Sequence, residues 1–122
     1  MTKDKLIVTA GDYDLLSIKD LRFLEKCKRK GDWLIVGLHS DMMVHAKNQV
    51  IFNTFYARQE LLLGLRCVDE VLRFNDTDGT YCNLLVIVKS IYPLSDITFI
   101  TKQDMHNLPE TKIRGITFET MN

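Results

Sequence analysis

The sequence predicts an α/β domain in which three layers, α/β/α, enclose a five-stranded, mostly parallel sheet. Two observations carry this prediction. Short apolar runs rich in Val and Ile alternate with longer amphipathic segments, in the order strand, helix, strand, helix, strand, helix, strand, strand that right-handed βαβ units produce. The run at residues 33–39 is almost continuously apolar, which suits a strand covered on both faces. The 122 residues suit one such domain, and the chain contains no repeat and only two prolines.

The first strand is expected at residues 6–10, an apolar run that ends at Gly11 and opens a loop. From Ile18 onward Ile18, Leu21, Leu24 and Cys27 recur every three residues, with Arg22, Glu25, Lys26, Lys28 and Arg29 between and after them. This is an amphipathic helix with Ser17 as its N-cap and Gly31 as its stop. Residues 33–39 are too short for a helix and form the second strand. Mixed polarity over 41–53 reads as a loop with at most one helical turn. A second helix is expected over 55–66, capped by Thr54 or Asn53, and a third strand over 70–74. The run Asn75, Asp76, Thr77, Asp78, Gly79 is turn chemistry. Residues 80–92 carry the β-branched Val86, Ile87 and Val88, yet their length and the stop at Pro93 make them the third helix. Strands at 97–101 and 115–120 complete the set.

Sixteen Lys and Arg balance sixteen Asp and Glu. That argues against a nucleic-acid partner, because such binders carry excess cations to displace counterions from phosphates. The three cysteines, Cys27, Cys67 and Cys82, are odd in number and show no metal-ligand spacing, which fits a reduced, cytoplasmic compartment. Cys27 lies on the apolar helix face with no activating neighbour and reads as structural. No apolar run nears the ~18 residues of a membrane span, so no membrane partner is expected. Open parallel sheets bind ligands beyond the C-terminal strand ends where strand order reverses. The loops at 11–17, 39–53, 75–79 and 101–112 are therefore where a site should lie.

The first strand-to-helix junction reads TAGDYDLLSIKDLRFLEKCKRKGDWLIVGLHSD. It resembles the HxGH nucleotidyltransferases, in particular the glycerol-3-phosphate cytidylyltransferases, whose pattern is G-T-F-D-x-x-H-x-G-H followed by G-D-x-L-x-V-x-x-x-x-D. Gly11, Tyr13, Asp14, Leu15, Leu16, Leu24, Gly31, Asp32, Leu34, Val36 and Asp41 stand in register with it. The stretch RQELLLGLRCVDEV is similar to the family's R-x-x-x-L-x-x-x-x-x-V-D-E-V, and KIRGIT to a worn R-T-x-G-I-S-T. The resemblance implies a Rossmann-like fold. It also implies nucleotide contacts at Gly11, Asp12, Tyr13, Asp14, Lys47, Arg58, Lys112, Gly115, Ile116 and Thr117.

The catalytic positions depart from the pattern. Where the family has HxGH, this chain has Ser17, Ile18, Lys19 and Asp20, so both imidazoles are gone and one has become a carboxylate. Asp12 replaces the threonine after Gly11, and the closing motif reads Lys112, Ile113, then Phe118 and Glu119 in place of hydroxyls. Nucleotidyl transfer depends on positioning and charge stabilisation, and losing one such donor costs ~3 kcal/mol of barrier. The resemblance therefore implies a catalytically impaired binding or assembly module that takes CTP without a cofactor, forms a homodimer and meets an unidentified protein partner. Its rival is an active CTP-dependent enzyme with a divergent site, using Mg2+, coupling CTP to glycerol 3-phosphate or a related small phosphate and releasing pyrophosphate, with Lys19, Lys47, Lys112 and Arg58 as charge stabilisers. A third reading is a partner-binding protein that no longer takes nucleotide.

Each of these residues also has a plainer reading. Asp14 suits a turn or cap, Lys47 a solvated loop, and Arg58 an exposed helix position paired with an acid. His39 and His45 lack the partners a metal pair needs. His106 reads as a surface loop residue, and Asp69 and Glu70 as structural carboxylates.

Overall fold

Leu6, Ile7 and Val8 have no solvent exposure, because their strand lies in the middle of the sheet. In the computed structural model, which describes residues 4–42, 50–102 and 109–121, β1 spans Lys5–Gly11, α1 Ile18–Lys28, β2 Trp33–Leu38, α2 Phe55–Leu63 and β3 Glu70–Arg73. Helix α3 follows at Cys82–Ile91, then β4 at Asp96–Thr101, a 3-10 turn at Pro109–Lys112 and β5 at Ile116–Thr120. The strand order is β3-β2-β1-β4-β5 and every neighbouring pair is parallel. Among the described residues no helix is long and apolar enough to cross a membrane.

Alternation along β1 divides the core. Ile7 belongs with Phe23, Leu24 and Cys27 of α1 and with Phe55 and Leu62 of α2. Leu6 and Val8 belong with Leu84, Leu85 and Val88 of α3. The layers are thus α1 with α2, the sheet, and α3, the arrangement the apolar pattern predicts. Fully burying one such side chain contributes about 1.5–3 kcal/mol, whereas β-branched residues lose only tenths in a helix. Packing of Leu84, Leu85 and Val88 therefore carries the helix through its β-branched run.

Ser17 caps α1 as expected, within a capping box closed by Asp20. The stop predicted at Gly31 is corrected. The helix ends at Lys28 with Arg29 as its right-handed C-cap, and a Cβ on Gly31 would come within 2.7 Å of Ile7 Cγ1 and 2.8 Å of the Lys5 carbonyl. That glycine lets the chain pass close to β1. Helix α2 is capped by Thr54 and ends at Leu63 with Gly64 as C-cap, short of the predicted 66. Helix α3 starts at Cys82, and its N-cap Tyr81 makes no side-chain cap of its own. Glu110 supplies one from the 3-10 turn, its Oε2 accepting the Tyr81 amide at 3.1 Å.

Asp69 and Glu70 hold the far end of the sheet. Asp69 Oδ2 accepts the Leu34 amide at 2.8 Å, and Glu70 Oε1 accepts Trp33 Nε1 at 3.0 Å and the Tyr92 hydroxyl at 2.6 Å. Both are structural, as read.

Candidate functional site

The chain leaves β1 toward β2 on one side and comes back to β4 on the other, so strand order reverses between β1 and β4. Beyond their C-terminal ends lies a crevice of about 330 Å³, lined by Thr9, Ala10, Gly11, Asp12, Tyr13, Asp14, Leu15, Asp20, Phe23, Tyr81, Thr101 and Lys102. This is where an open parallel sheet presents a ligand site. It gathers Gly11, Asp12, Tyr13, Asp14 and Asp20 of the predicted set.

Gly11 is bare because a Cβ there would lie 2.8 Å from Tyr13 Cε2. Tyr13 adopts φ 46°, the left-handed region, the one non-glycine to do so among the described residues. Strain of this kind persists only where surroundings over-determine it. Tyr13 packs against the α1 side of the core. Burial pushes its phenol well above the usual range, and the neighbouring Cys27 and Asp20 push the same way against a hydrogen bond with Thr9.

Asp14 clamps two loops. Its Oδ2 accepts the Phe52 amide and its Oδ1 the Asn53 amide, both at 2.7 Å, while Asn53 Nδ2 donates to the Asp14 carbonyl at 2.7 Å. Arg58 does more. Its side chain is fully buried, Nε donating to the Asn53 carbonyl at 3.1 Å and Nη1 to the Asp12 and His39 carbonyls at 2.8 and 2.9 Å. Nη2 donates to Asp41 Oδ1 at 2.6 Å. The reading of Arg58 as an exposed helix arginine is corrected: the guanidinium is buried and ties the first loop to the loops after β2 and before α2.

The N-terminus of α1 carries a capping box. Ser17 Oγ accepts the Asp20 amide at 3.2 Å, and Asp20 Oδ2 accepts the Ser17 amide at 3.0 Å. Asp20 Oδ1 also lies 3.5 Å from Lys102 Nζ, and that ammonium stands 4.8 Å above the Phe23 ring. Lys19 is outside the crevice lining, on the flank of the helix. Among the described lining residues, Asp12, Asp14 and Asp20 face a single cation, Lys102.

The closing-motif residues are not brought here. Ile116 and Thr117 open β5, paired with Ile97 and Thr98 of β4, whereas the crevice adjoins Thr101 at the other end of that strand. Gly115 follows Arg114, whose carbonyl accepts Lys89 Nζ at 2.8 Å near the end of α3. Lys112 is exposed at the end of the 3-10 turn and does not line the crevice. Topology makes this segment the approach to an edge strand. Lys47, His45 and His106 lie outside the described residues.

From the sequence, His39 with His45 makes only a poor metal pair. Its Nδ1 lies 3.0 Å from Asp76 Oδ2, both side chains buried, and Ser40 donates its amide and hydroxyl to the same carboxylate at 3.0 Å each. Among the described residues no three His, Cys, Asp or Glu side chains converge on a metal position. Burial raises the Cys27 thiol to about 12 and pushes Cys67 upward as well, so both are poor nucleophiles. Thr9, Phe23 and Tyr81 escape sequence reading, whereas Thr101 and Lys102 fall in the 101–112 loop where a site is expected; nothing local marks Tyr81. Its phenol is raised chiefly by burial, then by Asp12, Glu110 and Asp76.

Comparison with known proteins returns one family, described as cytidylyltransferase-like, whose model matches residues 8–116. The bifunctional protein HldE of Helicobacter hepaticus is 36% identical over 88% of this chain and 21% of its own length. FAD synthase of Thermococcus sibiricus is 40% identical over 76% of this chain and 62% of its own. Glycerol-3-phosphate cytidylyltransferase of Bacillus subtilis is 32% identical over 56% of this chain and 53% of its own. The chain thus spans from about a fifth to under two thirds of these relatives. Among solved structures, the lipopolysaccharide core biosynthesis protein from Thermoplasma volcanium superposes with a TM-score of 0.73 at 19% identity, covering 96% of this chain and 95% of that one. At that identity the likeness speaks for the fold alone.

Proposed function

The chain belongs to the cytidylyltransferase-like family, and from that premise we propose that it is a nucleotide-binding member of the fold with impaired transfer chemistry, acting as a binding or assembly module. One observation carries the reading. The start of α1 presents Ser17 and Asp20 closed on each other, at the positions where the resemblance places imidazoles. A transferase must steady negative charge as it grows on phosphorus, and preorganised donors in a dry site do most of that work. A carboxylate at that point opposes it, and Asp12 and Asp14 line the same crevice.

The same reading takes CTP as ligand, a second copy of the chain and a further protein as partners, and the cytoplasm as compartment. Binding needs no cofactor. Residual transfer would use Mg2+, which keeps most of its waters and sits on phosphate oxygens with one or two carboxylates.

Calorimetric titration with the four ribonucleoside triphosphates tests binding, and labelled transfer from CTP to glycerol 3-phosphate with Mg2+ tests chemistry. The reading expects a measurable affinity for CTP and transfer at or near background. Transfer at rates ordinary for such enzymes would overturn it. Absence of any triphosphate binding would leave only a protein-binding role.

A further inference from the structure

We propose that this chain receives the phosphate tail of its nucleotide in a cationic groove on the flank of α1, and not at that helix's N-terminus; the inference rests on the nucleotide-binding reading above. The groove has a volume of about 470 Å³ and is lined by Ile18, Lys19, Arg22, Phe23, Lys26 and Lys102. Phe23 and Lys102 line the crevice as well, so the two spaces adjoin at those side chains.

The sequence builds the groove simply. Ile18, Arg22 and Lys26 succeed one another at four-residue intervals along α1, and Lys19 and Phe23 form the neighbouring row. Lys102 reaches the same place from the end of β4, its ammonium held 4.8 Å over the Phe23 ring. Phe23 itself is buried and forms a fixed floor.

Two opposite fields meet at Lys102. On the crevice side Asp12, Asp14 and Asp20 are the charged lining residues besides it. At the N-terminus of α1 the capping box takes the Ser17 and Asp20 amides, and the Asp20 carboxylate stands beside the remaining ones. On the groove side the described lining holds Lys19, Arg22, Lys26 and Lys102 and no carboxylate. A triphosphate entering the crevice is therefore repelled at the first loop and attracted past Phe23, where the lining cations match its charge.

Arg22 and Lys102 have acidic neighbours. Arg22 Nη1 pairs with Glu25 at 2.8 Å and Lys102 with Asp20 at 3.5 Å, with the Arg22 and Lys102 side chains 64% and 53% exposed. Solvent-exposed pairs of this kind contribute little and exchange readily for a polyanion.

The test uses the whole chain, with CTP, cytidine and inorganic tripolyphosphate titrated calorimetrically into the wild type and two charge-matched double variants. Lys19→Glu with Lys26→Glu reverses the groove at exposed helical positions. Arg29→Glu with Arg114→Glu makes the same charge change elsewhere. Circular dichroism and a melting curve establish that each variant is folded, and Lys19→Gln with Lys26→Gln replaces the first pair if it is not. The proposal expects CTP and tripolyphosphate to bind the groove variant roughly tenfold or more weakly, with cytidine unchanged and the control within about twofold of wild type. A groove variant that keeps CTP affinity, or loses no more than the control, overturns it. Tripolyphosphate binding that vanishes in the groove variant, with no nucleotide bound by the wild type, would uphold the groove and overturn the nucleotide reading. If wild type binds neither, both fall.

Discussion

Ser17 and Asp20 exchange backbone amides for side-chain oxygens at 3.0 and 3.2 Å, so two amides of the first turn of α1 are satisfied from within. A helix start is ordinarily an open anion site, with free amides and a positive dipole end. Here the same geometry has become a capping box, which stabilises the helix and places a carboxylate at its mouth.

Replacing both residues by histidine removes that cap and restores imidazole donors. Ser17→His with Asp20→His is expected to lower stability by about 1–2 kcal/mol, read as the urea midpoint. It should also raise transfer from CTP to glycerol 3-phosphate above the wild-type background. Unchanged or lower transfer in a folded double variant would favour rewired chemistry.

Arg58 carries a larger load, since its guanidinium serves three carbonyls and the Asp41 carboxylate from a fully buried position. Arg58→Met strands those acceptors and is expected to cost about 3–5 kcal/mol in chemical unfolding. Arg58→Lys should recover only part of it, because a single ammonium cannot reproduce the planar fork.

Asp14 is expected to control loop order more than global stability. Asp14→Ala frees the Phe52 and Asn53 amides that its carboxylate holds at 2.7 Å. Hydrogen exchange at those two amides should quicken roughly tenfold, with the midpoint of unfolding lowered by about 1 kcal/mol. Exchange at wild-type rates would show that the clamp does not form in solution.

Alkaline pH should destabilise the fold in a defined window. Burial raises Cys27 from 9.0 to about 12, and burial with the Glu70 contact raises Tyr92 from 10.0 to about 12. With folded values above unfolded ones, the unfolded chain sheds protons first, so this stabilisation is complete below pH 9 and lost as pH rises toward 12. Cys27 alone predicts a loss of about 1–2 kcal/mol between about pH 9 and 10.5. Urea midpoints measured across that range check it, and Cys27→Ala should flatten the slope.

Local chemistry was sufficient for the elements. Apolar runs marked the strands, the three-residue recurrence marked α1, and Ser17 and Thr54 were legible as caps because a cap depends only on the residues beside it. The loops that hold the crevice were legible too, since parallel sheets place ligands at one end. What a neighbour-by-neighbour reading could not reach is where distant side chains meet. Arg58 reads as an exposed helix arginine until the loops around it close over its guanidinium. Lys112, Gly115, Ile116 and Thr117 resemble a site motif until the register of β5 on β4 places Ile116 and Thr117 away from the crevice. Tyr81 and Lys102, from two different crossovers, come to one crevice because parallel strands deliver their C-terminal ends to the same side. Sequence period decides which face of an element is apolar; only register and crossover decide which residues from remote elements share a cavity and its field.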